Sequence, residues 1–179
     1  MRGALRKTFS RKNKGHAMTL TVAKPTIRRR EVLTWLGQSA VFQSLSTTDL
    51  QLFLPSIRIL NFKPMDRVIG EGRFSSALYI VISGHFKVLR PSGVVVPMLQ
   101  PEELDALYEF HAGDCFGEYS LIDNQPASAS VVAADSAQAI QIPRREFNSV
   151  IMSDYRVAKS VYHNLLLLLT GRLRRSLRV

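Results

Sequence analysis

Four histidines, one cysteine and a scatter of carboxylates are the side chains here that could ligate a metal or move a proton. His16, His85, His111 and His163 share no metal-ligand spacing, whereas ligand sets in proteins recur at short, regular intervals. They read as structural or solvated. A metalloenzyme built on strands would need clustered histidines and carboxylates, and no such cluster is found. Cys115 is the single cysteine, which excludes an internal disulfide and a multi-cysteine metal site. It sits between Asp114 and Phe116 in an apolar context, so a buried structural thiol is expected over a reactive one. That usage suits a reducing compartment. No Ser/His/Asp set, no phosphate-binding Gly-Lys motif and no paired catalytic carboxylates stand out. The expected chemistry is therefore binding, and the chain is not expected to be an enzyme or to need a cofactor or metal.

The remaining chemistry is charge. The net charge of +10 lies in one place. Residues 1–30 hold ten Lys or Arg and no acid, and the other 14 basic residues balance the 14 acidic ones. Three readings of the arm stand side by side: a tether to nucleic acid or anionic membrane, an organelle-targeting presequence, and a solvated tail with Met18 as the true start. A second cationic spot, Arg172, Arg174, Arg175 and Arg178, reads as a solvated helix end favoured by the helix dipole, with contact to nucleic acid or lipid as the alternative. Apolar runs such as Leu165–Leu169 are far shorter than the roughly 20 residues of a membrane span. A soluble, cytoplasmic protein is expected.

The elements that must position any site come next. Residues 1–26 carry no periodicity and read as a basic, disordered tail. Residues 27–55 form an N-terminal helical segment. Its first helix covers about 27–37, with Val32, Leu33, Trp35 and Leu36 apolar and Gly37 as a stop. A second helix starts at Ser46 with a capping-box partner at Asp49, carries Leu50, Phe53 and Leu54, and ends at Pro55. Residues 56–142 switch to short β runs: Ile57–Phe62, Arg67–Ile69, Ala77–Ile82, Phe86–Leu89, Val94–Leu99, Ser130–Ala133 and Ala137–Ile142. Such runs argue for a sandwich, roll or barrel. Residues 101–109 are acidic and helix-prone and read as a surface excursion. Residues 143–179 are helical again, with a short helix from Pro143 and a long one from about Asp154 to Leu177. In the long helix Val157, Val161, Leu165 and Leu168 form one stripe. Leu166, Leu167 and Leu169 widen it, which predicts a partner chain, with a homodimer favoured.

Several runs together resemble the cyclic nucleotide-binding domain family. Val68-Ile69-Gly70-Glu71-Gly72 through Ser83-Gly84-His85-Phe86-Lys87-Val88 is similar to its front half. Gly113-Asp114-Cys115-Phe116-Gly117-Glu118-Tyr119-Ser120-Leu121 resembles its Gly-Asp-x-Phe-Gly-Glu run. Pro126-Ala127-Ser128-Ala129-Ser130-Val131 falls where the family has Pro-Arg-x-Ala-Ser/Thr-Val. The later Pro-Arg-Arg-Glu-Phe and Gly-Arg-Leu-Arg-Arg also fit, so the resemblance spans about residues 39–177. It implies a mainly β fold with flanking helices: a jelly-roll-like double-stranded β-helix, the β-roll, with N-terminal helices, a long C-terminal helix and a phosphate-binding-type loop at 116–130.

The same resemblance implies a site. Gly117 would let backbone approach the ligand. Glu118 is similar to the carboxylate that accepts from a ribose hydroxyl, and it could instead cap the short helix that follows. Tyr119 and Ser120 would offer backbone N–H groups to phosphate, and Ser128 a hydroxyl. Gly72, Gly84 and Gly113 are expected as turns. Two departures qualify the picture. The family's phosphate-binding arginine is Ala127 here, and arginine supplies a charge-assisted, often bidentate grip. Compensating cations could come from Arg73, Lys87 or the arm. The chain also leaves no room for a helix-turn-helix after Leu177, unlike catabolite activator-like members. The expected function is a non-catalytic regulatory module, sensing cAMP or cGMP weakly. The alternatives are a degenerate dimerisation or protein-interaction scaffold and a basic-armed nucleic-acid or membrane-surface binder.

Overall fold

The computed structural model describes residues 28–89 and 108–176. The arm at 1–26, the strand expected at Val94–Leu99, and Leu177 and Arg178 lie outside the described residues. Helix α1 spans Arg29–Gln38 and buries Val32 and Leu36. Gly37 falls inside this helix, whose C-cap is Ser39. Helix α2 spans Thr47–Gln51. Its start matches the capping-box expectation: the Ser46 hydroxyl accepts from the Asp49 amide, and Asp49 Oδ2 accepts from the Ser46 amide at 2.9 Å. The helix stops sooner than expected. Phe53 and Leu54 lie beyond it, and Pro55 sits within a 3₁₀ turn at Leu54–Ser56, an early position that needs no backbone donor.

Eight strands follow among the described residues: β1 Arg58–Phe62, β2 Arg67–Ile69, β3 Ala77–Ser83, β4 Phe86–Leu89, β5 Tyr108–Phe110, β6 Cys115–Phe116, β7 Ser130–Ala133 and β8 Ala137–Pro143. They form two four-stranded antiparallel sheets, ordered β1-β8-β3-β6 and β2-β7-β4-β5. The β-roll expectation holds. Two strands were not legible beforehand. Tyr108 and Glu109, read as the end of a surface excursion, pair with Val88 and Lys87 in β5. A three-residue strand carries too little alternation to outweigh its acidic neighbours.

The two sheets close on an aromatic core. Phe62, Phe86, Phe110 and Phe116 are buried there with Tyr79, Val81 and Ala139. Phe116 stacks on Tyr79 at 5.0 Å and on Phe110 at 5.2 Å. The outer surface of the first sheet meets the helices, where Leu78, Ile80, Ile140 and Ile142 pack with Leu36, Phe42 and Phe53. Turns at Gly72, Gly84 and Gly113 adopt positive φ. At Gly84 a Cβ would come within 2.6 Å of Ala137 Cα, so the turn between β3 and β4 packs too tightly for any side chain.

Helix α4 spans Arg144–Ser153, and α5 spans Tyr155–Ser176. Asp154 separates them as the C-cap of α4, and its Oδ1 accepts from the Arg156 and Val157 amides. Val157, Val161 and Leu165 are buried, as the stripe predicts, and Leu168 packs on the same cluster. Asn164 adds a polar anchor by donating to Gln43 O at 2.6 Å. No helix among the described residues is long and apolar enough to cross a membrane.

Candidate functional site

Gly117 fixes the loop that carries the site. It caps α3 (Glu118–Asp123) in the left-handed conformation, φ +85°, which costs a residue with a Cβ steric energy. A Cβ at Gly117 would also lie 2.6 Å from Ala77 O and 3.2 Å from Ser75 Oγ. The turn therefore presses directly on the entry to β3. It throws Glu118 inward as the first residue of α3 and leaves Tyr119 mostly outside. Asn124 closes α3 with a second left-handed residue, φ +55°.

Glu118 is 1% exposed. One carboxylate oxygen, Oε1, accepts from Arg172 of α5, and the same guanidinium donates to Cys115 O. The Arg172 side chain is 9% exposed, and its guanidinium lies 5.0 Å from the Phe110 ring centroid and 5.7 Å from that of Tyr108. The charge is thus held by a carboxylate, a carbonyl and two ring faces. Burial pushes the Glu118 carboxyl above the ordinary range, and the attraction of Arg172 opposes it. The other oxygen, Oε2, is buried and has no hydrogen-bond partner. Cys115 is a buried free thiol, as its context predicts. Burial and the nearby Glu118 carboxylate push it up to about 12, so it is not a nucleophile at neutral pH.

These groups border a cleft of about 460 Å³, counting its open mouth. All six residues expected at the site border it: Gly117, Glu118, Tyr119, Ser120, Ala127 and Ser128. Ser120 is buried, Ser128 and Tyr119 are exposed at the rim, and Ala127 packs against the sheet core. The backbone of Ala127 is fixed on both sides. Its amide donates to Arg73 O and its carbonyl accepts from the Gly72 amide, each at 2.8 Å.

Among the described residues, the cation bordering the cleft is Arg172, neither Arg73 nor Lys87. Arg73 is exposed and does not border the cleft. Lys87 faces Glu109 at 3.5 Å. Arg172, expected in a solvated helix end, is instead the buried partner of Glu118. The signal was present: Val161, Leu165, Leu168 and Arg172 continue one helical face at i, i+4, i+7 and i+11. Arg174 and Arg175 do remain exposed.

Arg144 is a further positioning residue. From the start of α4 it donates to Ser75 O at 2.9 Å and to Ser120 O at 2.7 Å, and also to Asn124 Oδ1. One side chain thereby ties the end of α3, the loop before β3 and α4 together. Among the histidines, His85 and His111 meet ring to ring at 4.9 Å, and His85 Nδ1 lies 2.8 Å from Asp135 Oδ2.

Comparison with known proteins agrees with this fold. The chain is 29% identical to the cyclic AMP receptor protein of Thermus thermophilus over 136 residues, 76% of this chain and 58% of that one. It is 25% identical to a cGMP-dependent protein kinase of Plasmodium berghei over 118 residues, 66% of this chain and 12% of the kinase. The chain therefore spans a small part of one curated relative and somewhat over half of the other. A cyclic nucleotide-binding domain from Methylobacillus flagellatus superposes with a TM-score of 0.67 at 22% identity, covering 82% of this chain and 79% of that one. The family model described as the cyclic nucleotide-binding domain matches residues 59–154, more than half of the chain, from within β1 to just past α4. With the β-roll, the Gly117 turn and the enclosed Glu118 in that span, the chain belongs to the cyclic nucleotide-binding domain family.

Proposed function

We propose that the domain is a non-catalytic regulatory module whose cleft receives a ligand and reports it through α5. The observation that carries this reading is the Glu118–Arg172 pair. The carboxylate inside the cleft and the last turns of the C-terminal helix share one contact, so a ligand that engages Glu118 acts on α5 without further machinery. In this reading Glu118 Oε2 accepts a ribose hydroxyl. Gly117 admits the ligand backbone-close, Tyr119 and Ser120 offer amides, and Ser128 offers a hydroxyl at the rim. Ala127 leaves the phosphate without its usual charged grip, so cAMP or cGMP binds weakly. Truncating a buried charged partner commonly costs about 2–5 kcal/mol, roughly 30- to several-thousand-fold.

The output surface is the outer face of α5. Tyr155, Lys159, Tyr162, Leu166, Leu169 and Leu173 recur at alternating steps of four and three, and all but Leu169 are exposed. A stripe of this period suits a second helix of the same kind, so a homodimer through α5 is proposed. Without ligand binding, the same surface would make the domain a dimerisation scaffold, and Ala127 in place of a phosphate-gripping arginine favours that second reading.

Calorimetric titration with cAMP and cGMP, beside Glu118→Ala, tests the ligand reading. Saturable binding that the substitution weakens supports it. No heat and no thermal shift up to about 1 mM ligand, the edge of a 4 kcal/mol interaction, would retire it in favour of the scaffold.

A further inference from the structure

The described residues bordering the cleft bring two ionised side chains, Glu118 and Arg172, and these neutralise each other. Arg172 has little to spare for a newcomer, because its guanidinium already serves Glu118, Cys115 O and the faces of Phe110 and Tyr108. Among the described residues, no nearby cation stands in for it. Arg144 is committed to Ser75, Ser120 and Asn124, Lys87 to Glu109, and position 127 carries a methyl group. An anionic phosphodiester would thus enter a low-dielectric cleft as an unmatched third charge.

Another feature of the same cleft points the other way. Glu118 Oε2 is buried without a hydrogen-bond partner, and an orphaned carboxylate oxygen is a demand for a donor. A ligand hydroxyl placed there satisfies it and leaves the Arg172 pair on Oε1 intact. Most of the remaining wall is apolar, supplied by Ile69, Val88, Phe110, Phe116, Ala129 and Val131.

We infer that the cleft takes an uncharged small molecule, one carrying a hydroxyl donor on an otherwise largely apolar or aromatic body, in preference to an anionic phosphodiester. This rests on the reading of the cleft as the ligand site and names the ligand class. The recognising chemistry is a hydroxyl to Glu118 Oε2 and apolar burial against Phe110, Phe116 and Val131. A charged cation on position 127 is what the site lacks.

The test is a matched pair of probes titrated calorimetrically into the full chain: adenosine, which is uncharged, and cAMP, which shares its base and its ribose 2′-hydroxyl but carries the cyclic phosphate. Adenosine is expected to bind at least about tenfold tighter, the effect of one unmatched contact. A smaller margin, or tighter cAMP, overturns the inference and leaves the regulatory reading in place. Binding of neither up to about 1 mM removes the ligand site itself, and both readings with it. Ala127→Arg supplies the missing cation, and in that variant cAMP is expected to gain about 30-fold or more while adenosine does not. Unchanged cAMP affinity in an Ala127→Arg protein that still melts cooperatively overturns the charge argument independently.

Discussion

Replacing Arg172 with methionine keeps most of the side chain's length and removes its charge. Glu118, 1% exposed, then becomes a buried carboxylate with no counter-ion. Breaking a buried pair from one side costs about 3–5 kcal/mol. In a chain of this size that corresponds to a fall of about 6–20 °C in Tm. Two smaller losses are contained in the figure: the bond to Cys115 O, about 1–2 kcal/mol, and the ring contacts with Phe110 and Tyr108, about 0.5–1 kcal/mol. Removing the stranded charge separates the parts. Arg172→Met combined with Glu118→Gln should recover about 2 kcal/mol or more relative to Arg172→Met alone.

The pH dependence carries its own sign. Glu118 already titrates above its ordinary value because it is buried, and loss of Arg172 raises it further. A carboxyl whose folded pKa exceeds its unfolded one destabilises the folded state while ionised. That penalty is full above the folded pKa and disappears as pH falls towards the unfolded value near 4.3. Urea unfolding of wild type and Arg172→Met should therefore differ more at pH 7.5 than at pH 5, by about 1.4 kcal/mol for each pH unit crossed between the two pKa values. A deficit below about 1 kcal/mol, or one equal at both pH values, would show that the pair is not buried as described and refute the reasoning.

Gly117→Ala places a Cβ 2.6 Å from Ala77 O at φ +85°. It should lose about 1–3 kcal/mol in urea unfolding and weaken whatever ligand binds the cleft. Asp49 accepts from Arg156 across the α2–α5 contact and from Ser46, and these bonds, that of Arg156 foremost, hold its carboxyl far below the usual range. Its contribution is present above the unfolded pKa near 3.9 and is lost as pH falls through the folded one, so Asp49→Asn should flatten the acid-unfolding profile below about pH 4. Leu166, 64% exposed on the outer face of α5, should tolerate Leu166→Glu with stability changed by about 0.5 kcal/mol or less. The same substitution should shift sedimentation from dimer to monomer, whereas an unchanged mass would remove the dimer proposal. Removing the residues before 31 should abolish any salt-dependent binding to duplex DNA or anionic vesicles, read by gel shift and by pelleting.

Much of the fold is written in local signals, and the site only in part. The Ser46–Asp49 box, the β runs at Arg67–Ile69 and Phe86–Leu89 and the Val157–Leu168 stripe depend on neighbours in sequence, and each is found in the structure. Pro55 misled because a proline tolerated in a 3₁₀ turn looks the same as one that stops a helix. Strand β5 escaped because it adjoins the acidic, helix-prone run that reads as an excursion, and β6 because two residues show no period. Gly117 and Glu118 were legible as a motif. Their partner was not, because Arg172 lies 54 positions from Glu118 and its neighbours Arg174 and Arg175 are exposed. Charge clustering suggested solvent, while the position of Arg172 on the buried stripe decided its direction. Arg144 shows the same limit: its three acceptors come from segments that only the closed roll brings together.

The central claim is that the cleft and the C-terminal helix communicate through Glu118 and Arg172. Amide hydrogen exchange across residues 108–176, with and without saturating adenosine or cAMP, tests it most directly. Slower exchange is expected both in α3 and in the last two turns of α5, with loss of the α5 response in Glu118→Gln. Protection of α3 with α5 unchanged would contradict it, because ligand would then occupy the cleft without reaching the helix that is said to report it.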